Sequence, residues 1–412
     1  MSAEDSIRWL PVREVGEVRM GKQLSPASRA NGTQLPYLRV ANVYEGRITY
    51  EDVKSMGFSV AEQEVYKLLP GDVLLNEGQE NLGMVGRSAI YEGEPGAYRF
   101  QNTLIRFRPG PHVLPDYAQA IFVDWRRRGV FARVAEKTSI SHLGGSRFAK
   151  ILFPLRSRSD QQRIVEVLAA FAAEVRATEE AIVKLRTVRQ GVLLSAIPSG
   201  TQRLAVPGVK SVQWLAVRDV GEVRMGKQLS PASREFGTRL PYLRVANVLD
   251  GWINYSDVNE MGFSDTEQRT YRLLTGDILL NEGQSLELVG RSAIYRRGAG
   301  KFFFQNTLVR FRAGEGLLPE YAHAVFSYWL TTGVFAAIAK KTTSIAHLGG
   351  DRFAGLPFPL VPLEEQQRVV SALAAWDKRI ASEEEALRKI GSLKHGLVDD
   401  LLSGKVRMRD VA

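Results

Sequence analysis

The chain has 412 residues, of which 44% are hydrophobic and 24% charged, a composition that fits two or three folded domains and excludes extended disorder. Lysine and arginine exceed aspartate and glutamate by 55 to 45, and the net charge of +10 suggests a polyanionic partner, although many soluble proteins are mildly basic. The sequence contains no cysteine, which excludes disulfides and thiolate sites, and no signal peptide or run of about 18 apolar residues, so we expect a cytoplasmic protein.

An internal repeat covers nearly the whole chain. The segment Gly16–Arg29 (GEVRMGKQLSPASR) recurs unchanged at Gly221–Arg234, an offset of 205 residues. The further shared segments LPYLRVANV, LLNEGQ, GRSAIY and FQNTL follow in the same order in both copies. Because solenoid repeats have periods of only roughly 20–50 residues, each copy is predicted to be a domain-sized unit with its own core.

Each copy begins with a stretch of short apolar runs, which extends from Trp9 to about Leu155 in the first copy. Glycine, proline and asparagine interrupt these runs, and two helices are expected among them, one near residues 115–135. The pattern predicts an α+β fold whose sheets are mainly antiparallel.

A long amphipathic helix is predicted to follow each of these stretches. From Ser159 to Ala196 apolar residues recur every three or four positions, and the second copy repeats them at the same phase. The residues predicted to pair the helices are Leu168, Phe171, Val175, Ile182 and Leu185 in the first copy and Leu373, Trp376, Ile380, Leu387 and Ile390 in the second. We predict that the two helices pack antiparallel against each other, with polar residues such as Arg189 interrupting the apolar stripe. A helix that folds back on its own domain is the alternative.

The repeat and the helices together predict a pseudo-two-fold arrangement. A helix of 38 residues, at about 1.5 Å per residue, spans roughly 57 Å. If the two helices pack antiparallel, an approximate two-fold axis relates the two globular parts, as in a dimer fused into one chain. Such an arrangement suits a DNA duplex that carries two near-identical half-sites in inverted orientation, separated by bases that are not read.

The junction between each globular part and its helix carries a family resemblance. Phe358–Leu373 (FPLVPLEEQQRVVSAL) resembles the junction in the specificity subunits of type I restriction-modification systems, and the resemblance extends over nearly all of the chain. The first copy, FPLRSRSDQQRIVEVL from Phe153, has Asp160 in place of the usual glutamate and lacks the preceding proline. The LLSG segment that closes the second helix is similar to the family as well.

The resemblance implies two target-recognition domains, each followed by a spacer helix. The implied ranges are 1–155 for the first target-recognition domain, 156–198 for the first spacer helix, 199–213 for a linker, 214–360 for the second target-recognition domain, 361–404 for the second spacer helix and 405–412 for a C-terminal tail. The resemblance also implies that the chain binds double-stranded DNA and that the helices dock two methyltransferase subunits, which a restriction subunit can join. S-adenosylmethionine, ATP and magnesium are then expected on these partner subunits.

The chain is not expected to be an enzyme or to hold a metal. Gly16–Lys22 follows most of the phosphate-loop pattern, but Gln23 stands where a serine or threonine must hold magnesium, and the second copy repeats this change. The sequence lacks the Asn-Pro-Pro-aromatic tetrapeptide of a methyltransferase, and its five histidines show no metal-ligand spacing. A two-domain regulator that binds an inverted repeat without restriction-modification partners is the alternative function, but such a regulator usually carries a helix-turn-helix.

Base readout needs side-chain donors and acceptors on loops, and three polar stretches of each copy qualify. The candidate DNA-binding residues are Lys22, Gln23, Ser25, Arg39, Asn42, Lys137, Thr138, Ser139, His142 and Arg147 in the first copy, and Lys227, Gln228, Ser230, Arg244, Asn247, Lys341, Thr342, Thr343, Ser344, His347 and Arg352 in the second. The structural alternatives for the three stretches are a solvated hairpin, a capped strand end and a hydroxyl-rich helix cap. For Asn76, Glu77, Gln79, Gln101 and Asn102 a structural role is an equally good interpretation. The copies differ after Gln79 and Gln284, so the two half-sites can differ in sequence.

Overall fold

The computed structural model describes residues 7–26, 28, 31–79, 81–137, 141–198, 212–231, 236–341 and 345–403. The chain divides into two units, which are Met1–Glu179 together with Glu385–Ala412, and Glu180–Glu384. Each unit contains one globular half, residues 7–155 or residues 212–360, and a part of each of two long helices. The division therefore passes through the middle of both helices.

Short strands alternate with short helices in the first half, and a long helix follows. The strands are Arg8–Pro11, Gly16–Met20, Thr33–Leu38, Val43–Tyr44, Arg47–Ile48, Lys54–Phe58, Val73–Asn76, Gly78–Gln79, Ser88–Ile90, Arg99–Phe100, Leu104–Pro109, Glu136–Lys137, Ser141–His142 and Leu152–Leu155. The α-helices are Val12–Val15, Val60–Val65, Pro115–Arg127, Val130–Val134, Gly145–Phe148 and the long Arg158–Ala196, and single 3-10 turns lie at Val40–Asn42 and Leu82–Met84.

The second half repeats this order through most of its length. Its strands are Gln213–Ala216, Gly221–Met225, Thr238–Leu243, Asn259–Phe263, Ile278–Asn281, Gly283–Gln284, Ser292–Ile294, Phe303–Phe304, Leu308–Ala313, Lys340–Lys341, Ala346–His347 and Pro357–Leu360. Its α-helices are Val217–Val220, Asp265–Tyr271, Pro319–Thr331, Val334–Ile338, Gly350–Ala354 and the long Leu363–Ser403, with a 3-10 turn at Val245–Asn247.

A four-stranded antiparallel sheet lies at the centre of each half. In the first half the strand order is Gly16–Met20, Leu104–Pro109, Val73–Asn76 and Ser88–Ile90, and the equivalent strands of the second half have the same order. A smaller sheet in each half includes a parallel pair. The predicted α+β fold with mainly antiparallel sheets is confirmed.

The central strand Val73–Asn76 is buried along its whole length because apolar layers cover both faces of the sheet. Val73 and Leu75 belong to the cluster that includes the Pro115–Arg127 helix, whereas Leu74 belongs to a cluster on the opposite face. This division follows from the two-residue repeat of an extended strand.

Five phenylalanine rings lie in the larger cluster of each half. They are Phe107, Phe122, Phe131, Phe148 and Phe153 in the first half and Phe311, Phe326, Phe335, Phe353 and Phe358 in the second, and all ten are buried. The ring centroids of Phe107 and Phe122 lie 5.2 Å apart at 83°, an edge-to-face contact that stabilises both rings. Each buried ring contributes about 1.5–3 kcal/mol to folding, so these rings are a main source of stability.

The helix expected near residues 115–135 is two helices, Pro115–Arg127 and Val130–Val134. Gly129 separates them with φ of 69°, in the left-handed region that favours glycine. The second half breaks its helix in the same way at Gly333, with φ of 78°.

A buried glutamine fixes the start of each long helix. The Gln161 side chain accepts a hydrogen bond from Leu114 N (2.9 Å) and donates to His112 O (2.8 Å), which ties the helix to the loop before Pro115–Arg127. Gln366 makes the equivalent bonds in the second half. The Gln-Gln-Arg element that carries the family resemblance therefore anchors the helix to its globular half.

Both long helices contribute to the core of each unit. Within the first unit, Ile164 of the first long helix and Leu401 of the second belong to the same buried cluster. Within the second unit, Leu193 and Ile197 of the first long helix share a cluster with Leu373 of the second. The core of each half is therefore completed by the end of the helix that belongs to the other copy.

The two helices run in opposite directions where they meet in the second unit. Arg186 pairs with Glu384 (2.6 Å), and Arg189, one turn further along, pairs with Asp377. Ile182, Leu373 and Ile380 are buried, and the other seven residues of the predicted stripe are half-buried. The predicted antiparallel packing of the helices is confirmed, and Arg189, which interrupts the stripe, is held by an interhelical ion pair.

Candidate nucleic-acid interface

Glu77 connects several of the predicted DNA-binding loops of the first half. Its backbone N–H donates to Thr103 O (2.9 Å), and its carbonyl accepts from Leu143 N (2.8 Å). The Ser141–His142 strand pairs with the Gly78–Gln79 strand that follows Glu77. Two loops that lie more than 60 residues apart in the chain are therefore joined at this glutamate.

The Glu77 side chain holds the His142 ring. Its Oε2 lies 2.9 Å from His142 Nδ1, and its Oε1 accepts from Gly144 N at 3.2 Å. The second half repeats the pair, since Glu282 Oε2 lies 3.0 Å from His347 Nδ1. A carboxylate beside Nδ1 accepts a hydrogen bond from the N–H of that nitrogen and so fixes the orientation of the imidazole.

The loop that contains Lys22 and Gln23 lies beside the loop at residues 101–103. Asn102 N donates to Lys22 O (3.0 Å), and Val40 N donates to the hydroxyl of Thr103 (3.1 Å). The three polar stretches predicted to contact DNA are thus linked through residues 101–103 and Glu77.

The Lys22 ammonium is engaged inside the first half. It donates to Gly57 O (2.8 Å) and to the carboxylate of Glu62 (2.6 Å), and it lies 5.0 Å from the centroid of the Phe58 ring. The hydrogen bond from Lys22 keeps the pKa of Glu62 below its usual value. Lys227 makes the equivalent contacts in the second half. These contacts give both lysines a structural role, and a phosphate contact by either lysine stays a prediction.

Asn42 is buried and closes a turn at the end of its strand. Its side-chain oxygen accepts from Arg39 N (3.1 Å), and its amide donates to Thr49 O (3.2 Å) and Glu51 O (3.0 Å). With its polar atoms satisfied, Asn42 caps the strand end, which was the structural alternative to adenine recognition. Asn247 is buried with the same set of bonds.

Two predicted base-contacting arginines make local hydrogen bonds and ion pairs. Arg39 pairs with Asp52 at 2.5 Å. Arg147 donates to Leu143 O (3.0 Å), His142 O (2.9 Å) and Glu136 (3.0 Å), so its guanidinium closes the polar loop. The equivalent contacts of the second half join Arg244 to Asp257 and Arg352 to His347 O. The geometry therefore favours structural roles for these four arginines.

The chain is similar to known proteins of one family. A sequence model described as the type I restriction modification DNA specificity domain matches residues 210–391. The chain is 22% identical over 386 residues to the type I restriction enzyme EcoKI specificity subunit of Escherichia coli K12, covering 90% of this chain and 82% of the relative. It is 23% identical over 389 residues, with the same coverage, to the StySPI specificity subunit of Salmonella potsdam. The chain is thus similar to type I restriction-modification specificity subunits over 90% of its length.

Solved structures share the fold of this chain. The HsdS subunit from Thermoanaerobacter tengcongensis matches with a TM-score of 0.58 and 16% identity, covering 98% of both chains. A chain from a structural study of complex assembly and conformational transition of the type I R-M system matches with a TM-score of 0.66 and 16% identity, covering 96% of this chain and 97% of that chain. In the parts of the chain that the structure describes, no helix is long and apolar enough to cross a membrane.

Several of the predicted DNA-binding residues keep side chains at the surface. Gln23 and Gln228 are exposed at equivalent positions, and His142 and His347 are 44% and 42% exposed. Ser25 is half-buried and bonds to Ser28, whereas Ser230 is half-buried with a contact of its own. Lys341 is exposed at the end of a short strand. Thr138, Ser139, Thr342, Thr343, Ser344 and the side chain of Lys137 lie outside the described residues, so their role stays a prediction.

A buried ion network in each half is not among the features predicted from the sequence. The Arg106 guanidinium is 1% exposed, lies 3.0 Å from Glu17 and donates to Lys67 O (2.9 Å). Although partial burial opposes ionisation, Arg19 and Arg106 hold the pKa of Glu17 below its usual value. Arginine within the apolar strand segments LIRFR and LVRFR of the two copies was the available signal, because such a charge needs buried partners.

Proposed function

We propose that this chain is the non-catalytic DNA-recognition subunit of a type I restriction-modification complex and reads a bipartite, near-palindromic site. The supporting observation is the repetition of the Glu77–His142 pair as Glu282–His347, at 2.9 and 3.0 Å, in loops of equivalent position. Two surfaces with the same side chains in the same geometry read nearly the same bases. The sign of the net charge, +10, suits a DNA partner.

Double-stranded DNA, two methyltransferase subunits and a nuclease/translocase subunit are the partners of this proposal. The outer faces of the long helices support the docking of other subunits, because Val183, Val188, Leu194 and Leu393 are 61, 44, 41 and 64% exposed. Apolar side chains at these levels of exposure are suited to a protein interface. S-adenosylmethionine, ATP and magnesium belong to the partner subunits in this scheme.

Gln23 and Gln228 are the proposed base-reading side chains of their loop, since the neighbouring lysines are engaged internally. A glutamine amide can bind adenine through two hydrogen bonds in the major groove. The polar loops at residues 137–142 and 341–347 supply the remaining contacts of each half.

Methylome sequencing tests the function. Cells that carry this chain with its cognate methyltransferase subunit are compared with cells that carry the methyltransferase alone. A new methylated motif that is split and nearly palindromic is the expected result. Matched variants Gln23→Ala and Gln228→Ala should each relax the base preference at one position, and in opposite half-sites.

Other outcomes separate the parts of the proposal. A split motif with unrelated halves would retain DNA recognition but overturn near-palindromic reading, and the segments that differ after Gln79 and Gln284 would then control base choice. Methylation that does not depend on this chain would overturn the restriction-modification role and favour a regulator of an inverted repeat.

A further inference from the structure

The paired glutamate and histidine of each half have unequal exposure. The His142 side chain is 44% exposed and that of Glu77 only 11%, and the values for His347 and Glu282 are 42% and 14%. The carboxylate is thus sheltered while the imidazole reaches the surface. A hydrogen bond that served stability alone would not require the ring to remain accessible in both halves.

The carboxylate determines which nitrogen of the ring carries the proton. Glu77 Oε2 can only accept, so the proton of a neutral imidazole resides on His142 Nδ1. Nε2 then presents a lone pair. Gly144 N donates to the other carboxylate oxygen and holds Glu77 in this orientation.

We infer that His142 and His347 are base-reading residues that accept a hydrogen bond at Nε2 from the exocyclic amino group of adenine or cytosine in the major groove. These amino groups are the major-groove donors, whereas guanine and thymine present acceptors at the corresponding edges. The inference rests on the proposed DNA-recognition function. It adds that one base in each half-site donates a hydrogen bond to the protein. Because the pair is repeated, that position should carry an amino-bearing base in both half-sites.

Glu77→Gln tests the inference because it reverses the hydrogen-bond sense of the ring. The amide oxygen of the variant side chain keeps the bond from Gly144 N, so its amide nitrogen donates to His142 Nδ1 and moves the ring proton to Nε2. Nε2, the ring atom that contacts the base, thereby changes from a hydrogen-bond acceptor to a donor. Full-length wild-type and variant chains, each assembled with the methyltransferase subunits, select ligands from a random-sequence duplex DNA library.

The expected result is a change at one position of one half-site, from adenine or cytosine to guanine or thymine, by about tenfold or more in relative preference. Glu282→Gln is the matched control and should change the symmetry-related position of the other half-site. If both variants select the wild-type motif, the inference is overturned while the proposed function stands. If the wild-type complex selects no motif, the proposed function itself fails.

His142→Gln keeps the test decisive if Glu77→Gln disturbs folding, which a lowered melting temperature would reveal. A glutamine amide both donates and accepts, so the preference at that one position should fall by about tenfold with the other positions unchanged. An unchanged preference at every position in His142→Gln would overturn the inference.

Discussion

The two halves of the molecule repeat their interiors closely and differ at their surfaces. The Phe107–Phe122 and Phe311–Phe326 centroids are both 5.2 Å apart, and the buried arginines Arg106 and Arg310 both pair with a glutamate of the first central-sheet strand. Close packing leaves little room for change in such cores. The duplicated interior therefore sets one fold, while substitutions at the surface are free to give the halves different contacts.

The two halves differ most clearly where the end of the other copy's long helix packs against each of them. In the first half Arg127 pairs with Asp399, and Arg156 donates to Leu401 O. The equivalent positions to Arg127 and Arg156 in the second half hold Thr331 and Val361, and there the helix end is held by apolar packing. The first half thus adds charged contacts to the apolar packing of the helix end that both halves share.

A loop above the smaller core differs in charge. The first half has Glu92-Gly93-Glu94, whereas the second has Arg296-Arg297-Gly298. Arg297 lies 4.9 Å from the centroid of the Tyr255 ring, a cation–π contact. Equivalent surfaces of opposite charge cannot attract the same partner equally.

The largest expected effect concerns the shared interior. Phe148→Ala and Phe353→Ala should each lower the free energy of unfolding of their own unit by about 3–5 kcal/mol, because each removes a buried ring and leaves a cavity. Urea unfolding measures both variants. Leu152→Ala, at a position 53% exposed, is the control and should have little effect. Effects that differ by several-fold between the two variants would show that the repeated cores are not energetically equivalent.

The next effect concerns the helix ends. Leu401→Ala should destabilise the first unit and Leu193→Ala the second, each by about 2–5 kcal/mol, since these residues are 0% and 3% exposed. Hydrogen exchange of each half reports which unit loses protection. Leu393→Ala, at a 64% exposed position, serves as the control. Loss of protection in the half that precedes the altered helix, rather than in the other half, would contradict the exchange of helix ends.

A smaller effect on stability should distinguish the charged contact at the helix end of the first half from the apolar contact of the second. Asp399→Asn removes one of the two carboxylate partners of Arg127 and should cost about 0.2–1 kcal/mol, because Asp399 is 47% exposed and surface pairs are weak. Salt at about 1 M should abolish the difference from wild type by screening. Leu194→Asn, at the equivalent position, should show no salt dependence. Denaturant midpoints at low and high salt provide the comparison.

The smallest effect should be equal in both halves. The pKa of Glu17 and of Glu222 is lowered because neighbouring arginines outweigh the opposing effect of partial burial. Because the pKa of each glutamate is lower in the folded protein than its unfolded value of 4.5, its ionised carboxylate stabilises the folded state fully above pH 4.5. This stabilisation is lost as the pH falls through the folded pKa. Melting temperatures of Glu17→Gln and Glu222→Gln should therefore fall less steeply than wild type below about pH 4.5. If the melting temperature of either variant fell with pH as steeply as that of the wild type, the stabilising role of these two glutamates would be contradicted.

Sequence reasoning located the helices better than the site. The apolar spacing predicted Ser159–Ala196, and the helix spans Arg158–Ala196, because helical periodicity is a local property. The roles of Lys22 and Asn42 depend on partners such as Glu62 and Glu51, which no local pattern identifies.

The histidine illustrates the same limit. His142 was selected from a polar loop, but its partner Glu77 lies 65 residues earlier and was given an equally good structural interpretation. Hydrogen bonding between distant loops is decided by tertiary packing, so the pair became visible only in the folded chain.

The packing of Leu401 into the first unit has a consequence for biosynthesis. A ribosome adds about 5–20 residues per second, so roughly 240 residues and some tens of seconds separate the synthesis of Ile164 from that of Leu401. Throughout this interval the nascent first half exposes the apolar surface that Leu401 later covers. The second unit, Glu180–Glu384, is contiguous and already includes Leu193, so we expect it to mature first although the ribosome makes most of the first unit before it.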